Sequence, residues 1–159
     1  MELFIGGTDS STPTVEWAMT EHIRNPNILS KLRQKLSEKI TNGKTVQEQD
    51  LPQLPYLTAV IKETMRLHPP IAYTLAPFLD SDIDFRGRVF SFIPFSSGRR
   101  ICPGMNLGLR MVSLILATLV QKFDWKLPYE MAPEDMDVTD RFGLTLRKAQ
   151  PLVLIPTRL

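Results

Sequence analysis

Apolar residues recur at helical spacing in four stretches of the chain, and proline, glycine and short polar runs break the period between them. From Met1 to about Arg24 the apolar positions are Leu3, Phe4, Val15, Trp17, Ala18, Met19 and Ile23. The pattern is already running at residue 2 with no capping box ahead of it, as if a longer helix had been cut. Asn25-Pro26 supplies a cap and first-position pair for a second helix, whose face is Ile28, Leu29, Leu32, Leu36 and Ile40 and whose stop is Asn42-Gly43. A proline-punctuated link, Leu51 to Pro55, leads to a third helix over 56–68, with Leu57, Val60, Ile61, Met65 and Leu67 on its buried side. The fourth helix, 105–123, is apolar on most sides and is expected to be buried. Residues 69–91 read as a linker with little structure of its own, and 124–141 as a polar surface loop. Residues 143–148 and 152–155 read as two short strands joined through Ala149-Gln150-Pro151 into a terminal hairpin over 143–156. The pattern predicts a mainly α chain with small β hairpins.

One stretch contradicts its own helix. Gly6-Gly7-Thr8-Asp9-Ser10-Ser11 places two glycines, a carboxylate and hydroxyls in consecutive helical positions, which is poor helix chemistry by propensity. Pro13 follows, and inside a helix it leaves the Asp9 carbonyl without its usual donor. Read alone, such a run is most simply a cap or turn. Local conflict of this kind also marks functional positions.

Composition narrows the classes. The 159 residues are 43% hydrophobic and 23% charged, which is an ordinary globular balance long enough to bury a core. A net charge of +2 and the lack of any Lys/Arg block of five argue against nucleic acid as a partner. A single cysteine rules out an intrachain disulfide and a four-cysteine zinc site. The longest uncharged apolar run of the helical region, 111–121, is well short of the roughly 18–20 residues that span a bilayer. No basic segment followed by an apolar one opens the chain, so no signal peptide or membrane anchor is expected within it.

That one cysteine lies in Phe95-Ser96-Ser97-Gly98-Arg99-Arg100-Ile101-Cys102-Pro103-Gly104. Pro103 suits the first position of the fourth helix, which would set Cys102 at the helix N-terminus. The positive end of the helix dipole, Arg99 and Arg100 then favour an anionic sulfur. Gly98 and Gly104 lack the Cβ that would keep a flat partner from the backbone, and Phe95 can lay a ring beside it. The plain alternative is a small buried apolar residue. A free nucleophile is a third reading, and it lacks a nearby histidine base.

These ten residues match, at every fixed position, the F-x-x-G-x-R-x-C-x-G signature of the haem-thiolate monooxygenases, the cytochromes P-450, and the chain resembles the carboxy-terminal part of a plant microsomal member of that family, similar to terpenoid hydroxylases of the geraniol 8-hydroxylase type. The resemblance implies that Cys102 is the axial ligand of haem b, donating electron density that favours O–O cleavage. It places Arg100 on a haem propionate, with Phe95, Gly98 and Gly104 completing the cofactor loop. Gly6 to Ser11 is similar to the family's oxygen-activation motif, so Asp9 and Ser10 are expected to relay protons while Gly6 and Gly7 leave room for O₂ and substrate. Glu63-Thr64-Met65-Arg66 before Leu67-His68-Pro69-Pro70 resembles the E-x-x-R helix, which implies a buried Glu63–Arg66 pair bracing the cysteine loop. Phe142 and Leu144 are expected near the substrate. The implied partners are an NADPH-cytochrome P-450 reductase and a small hydrophobic substrate, and the implied location is the cytosolic face of the endoplasmic reticulum membrane.

The chain also departs from that pattern. Ser10 stands where threonine is usual, so the hydroxyl survives without the methyl that restricts its rotamer. After the third helix a sheet's worth of chain and the triad arginine of that pattern are missing, Ala76-Pro77-Phe78-Leu79-Asp80 keeping the phenylalanine of its P-E-R-F element and losing the Glu-Arg. The expected fold is therefore a partial cytochrome P-450 fold lacking the amino-terminal helices and part of the β region. A truncated, inactive remnant with at most residual haem binding is the rival reading.

Overall fold

The computed structural model describes residues 2–40, 44–71, 94–96, 99, 101–143 and 145–159. It is mainly helical with two small antiparallel strand pairs. Helix α1 spans Glu2–Arg24, α2 Pro26–Lys39, α3 Pro55–Leu67 and α4 Met105–Lys122. The strands are β1 (Phe123–Lys126), β2 (Asp140–Arg141), β3 (Arg147–Lys148) and β4 (Ile155–Arg158).

Burial follows the helical period. Leu29, Leu32 and Leu36 of α2, Leu57, Ile61 and Met65 of α3, and Val112, Leu116 and Val120 of α4 meet in one core with Ala18 and Met19 of α1. Each such large side chain is worth roughly 1.5–3 kcal/mol of burial. Helix α1 packs on α4, α3 and α2, and α4 also packs on α2 and α3. It runs unbroken through Gly6, Gly7 and Pro13, because the buried face from Thr14 to Thr20 outweighs the poor propensity of the first turns.

Four expectations need correction. Pro103 is not the first residue of α4: Gly104 caps the helix, Met105 opens it, and Cys102 lies two residues before the cap. Helix α4 is buried along one face only, and Leu107, Met111 and Ile115 on another face are exposed. The 124–141 segment is not all loop, since it continues from α4 directly into β1. The 143–156 hairpin does not form either. Its first strand pairs with β2, as Arg147 with Arg141 and Lys148 with Asp140, and its second pairs with β1. Pro156 explains part of this. The Leu159 N–H bonds the Lys122 carbonyl at 3.0 Å, so the alternating register points residue 156 away from β1, where a missing N–H costs no ladder bond.

The expected helix stop at Asn42-Gly43 and most of the 69–91 linker, including Phe78, lie outside the described residues. Within the link before α3, residues 48–53 form a 3-10 turn held by a reciprocal cap between Gln47 and Asp50.

Candidate haem-thiolate site

The cysteine loop closes on itself. The Cys102 N–H donates to the Phe95 carbonyl at 2.9 Å, and the Cys102 carbonyl accepts from Met105 N–H at 3.3 Å, tying the loop to the first turn of α4. Ser96 has a φ of 62°, a left-handed conformation that a non-glycine residue adopts only when its surroundings hold it there. Phe95 packs against the core and anchors the loop's start. The Cys102 thiol is free and exposed, not a buried apolar filler. Ile101 and Leu107 beside it in sequence are exposed apolar residues. A Cβ added at Gly104 would meet the Cys102 sulfur at 3.8 Å, an ordinary contact, so packing within the chain does not demand a glycine there. Gly98, Arg100 and Leu144 lie outside the described residues.

In α1, Gly6 and Gly7 are exposed, and a side chain at either would stand in open space. The Ser10 hydroxyl donates to the Gly6 carbonyl at 2.9 Å, and the Thr14 hydroxyl donates to the Ser10 carbonyl at 2.9 Å. Both bonds run back one turn along the helix, to carbonyls other than the Asp9 carbonyl that Pro13 leaves without its usual donor. Asp9 is paired with Arg147 of β3, Oδ1 to guanidinium nitrogen at 3.0 Å. The structure thus assembles two clusters, one on α1 and one on the approach to α4, on helices that pack together.

The Glu63–Arg66 pair is formed but not buried. Its two bonds are 2.7 and 2.8 Å, while the side chains are 54% and 52% exposed. The Arg66 hydrogen bonds hold the Glu63 carboxyl below its usual range. Turned to solvent at i, i+3, the two groups satisfy each other, which corrects the expectation of a buried pair. Phe142 is 71% exposed.

Fit to a haem is a question of donor chemistry. Its iron is already held by the macrocycle and needs one soft protein donor rather than a cluster. Among the described residues no group of three or more metal-binding side chains occurs, and Cys102 offers one accessible sulfur on a hydrogen-bonded loop. The residues present fit the group.

The family model for cytochrome P-450 matches residues 1–91 and 73–155. The chain belongs to the cytochrome P-450 family. Geraniol 8-hydroxylase of Catharanthus roseus is 38% identical over 202 residues, covering 100% of this chain and 41% of the relative. The geraniol 8-hydroxylase of Swertia mussotii is also 38% identical with the same coverage, and (S)-N-methylcoclaurine 3'-hydroxylase isozyme 2 of Eschscholzia californica is 40% identical over 98% of this chain and 41% of its own length. The chain spans about two-fifths of the length of the curated cytochromes P-450 it matches. The 202 aligned residues exceed the 159 of the chain, so part of that aligned stretch has no counterpart here. The two overlapping family matches share residues 73–91, directly after the E-x-x-R helix. No described helix is long and apolar enough to cross a membrane.

Sequence reasoning missed Arg147, the partner of Asp9. Its only sequence signal is a basic Arg-Lys pair in a short strand, which points to no particular carboxylate.

Proposed function

We propose that this chain carries the haem-thiolate half of a monooxygenase that hydroxylates a small hydrophobic, terpenoid-like molecule with O₂ and electrons from an NADPH-cytochrome P-450 reductase. The observation that carries the reading is the free, exposed Cys102 on a loop closed by the Phe95 carbonyl. When bound, haem b supplies O₂ activation, and the protein supplies binding, orientation and electrostatics.

Cys102 would hold the iron. Phe95 fixes the loop from behind, and Gly104 leaves room for a flat group against the sulfur. In this reading Arg100 meets a propionate and Gly98 keeps the backbone open. Gly6, Gly7 and Gly104 support it together: packing among the described residues requires none of them, and the two helical glycines each cost roughly 1 kcal/mol relative to alanine. A ligand lying close to both helices gives the missing side chains a purpose. Asp9 and Ser10 would move protons. At rest the Ser10 proton is committed to the Gly6 carbonyl and the Asp9 carboxylate to Arg147, so a relay begins with rotation of one of them. Phe142 and Leu144 would meet the substrate. The cytosolic face of the endoplasmic reticulum membrane is the location this reading implies.

The exposed Glu63–Arg66 pair favours the second reading, a remnant that binds haem without turnover. A reduced, carbon-monoxide difference spectrum of the haem-reconstituted chain is the test, with Cys102→Ala as control. A thiolate-type Soret band that the substitution abolishes is the expected result. Its absence from the unsubstituted chain overturns the haem-thiolate reading. A band without product formation on addition of reductase selects the remnant.

A further inference from the structure

We propose that Arg147 is a positioning residue that holds the Asp9 carboxylate in place beside Ser10. This rests on reading Asp9 as a proton-relay group, and it adds a residue from the far end of the chain to that relay. The contact is a 3.0 Å ion pair from the Arg147 guanidinium to Asp9 Oδ1. The guanidinium does not hang free: its Nε–H donates to the Thr145 hydroxyl at 3.1 Å, and Thr145 is buried.

The strand behind it is fixed at several points. The Leu146 N–H donates to the Pro70 carbonyl at 2.8 Å, and Ala149 N–H to the Thr139 carbonyl at 2.8 Å. Lys148 lies over the Trp17 ring at 4.6 Å and donates to the Asp137 carbonyl. The Leu152 N–H donates to Glu16 Oε1 at 2.8 Å. Residues 145–152 are thus strapped along α1, with Arg147 held at the level of the Gly6–Ser10 turn.

Cross-strand pairing gives an independent reason for the contact. Arg147 stands opposite Arg141, and like charges at facing positions repel. Asp9 supplies a counter-charge to Arg147. Held this way, the carboxylate is an oriented acceptor on the residue next to Ser10, and its partial exposure lets solvent water return any proton it hands on.

The test has two arms. In the full chain without haem, amide hydrogen exchange at Leu146 and Lys148 is measured for Arg147→Gln, Asp9→Asn and Arg147→Lys. An exposed pair of this kind predicts exchange about two- to fivefold faster in the first two, with partial rescue by lysine. Unchanged exchange in both overturns the latch. In the haem-loaded chain with reductase, Arg147→Gln is expected to raise the share of NADPH electrons ending in hydrogen peroxide severalfold, at unchanged carbon-monoxide band and substrate affinity. A peroxide share that is unchanged or lower, while Asp9→Asn raises it, overturns the role of Arg147 and leaves the relay standing. A chain with no thiolate band at all fails the functional reading, and the exchange arm still decides whether Arg147 holds Asp9.

Discussion

His22, near the end of α1, is 2% exposed, its Nδ1–H donates to the Ala18 carbonyl, and its Nε2 has no hydrogen-bond partner among the described residues. Burial pushes its pKa below the ordinary 6.5, more than the Ala18 bond and the nearby Glu21 charge raise it. A histidine with a lowered folded value takes its proton first in the unfolded chain. Its contribution is complete above about pH 6.5 and is lost as the pH falls from there toward the folded value. The carboxylates held low by partners, Glu63 by Arg66, Asp124 by Arg33 and Asp137 by Thr139, titrate below that window. Stability between about pH 5 and 6.5 is therefore expected to fall with a slope of up to about 1.4 kcal/mol per pH unit, the limit for one proton. His22→Phe is expected to flatten that slope while leaving the fold intact at pH 7. Urea unfolding at a series of pH values reads it directly, and an unchanged slope in the variant would assign the effect elsewhere.

Helix α4 ends on borrowed donors. Arg33 of α2 reaches the Val120 carbonyl at 3.3 Å, the Phe123 carbonyl at 2.9 Å and Asp124 Oδ1 at 2.9 Å, while the Trp125 indole N–H donates to the Leu119 carbonyl at 3.0 Å. Arg33 thus satisfies an orphaned helix carbonyl and puts positive charge at the helix's negative end. Arg33→Met is expected to cost about 1–2 kcal/mol, the partial exposure of both groups keeping the loss modest. Arg33→Lys should recover less than half, because an ammonium cannot take the fork geometry. A urea midpoint for Arg33→Met equal to that of the unsubstituted chain would show the contact is idle. This junction also shows what pattern reading reaches. The faces of α2 and α3 are legible because their leucines and isoleucines repeat over several turns. Strand β1 is not, since Phe-Asp-Trp-Lys is too short to display a period and its partner lies at the other end of the chain. The cysteine loop was readable from fixed spacing, whereas the Asp9–Arg147 pair depends on where two distant segments meet.

At the scale of the whole molecule, the bundle covers one face of α4 and leaves another bare. Val112, Leu116 and Val120 face the core, while Leu107, Met111 and Ile115, spaced by four, form an exposed apolar stripe that starts close in sequence to Ile101 and Cys102. Leu107 alone is 64% exposed. An apolar row this continuous on a small molecule holds water against hydrocarbon at a cost, and it binds amphipathic dyes without unfolding. The folded chain is therefore expected to enhance 8-anilinonaphthalene-1-sulfonate fluorescence in native buffer, with a cooperative thermal transition that separates it from a molten state. Leu107→Gln with Met111→Gln should at least halve the signal. Because neither side chain is in the buried core, the pair should change stability by no more than about 0.5 kcal/mol per site. A double variant that binds the dye as before would mean the stripe is not the site, and one that loses several kcal/mol would mean these residues pack more tightly than their exposure implies.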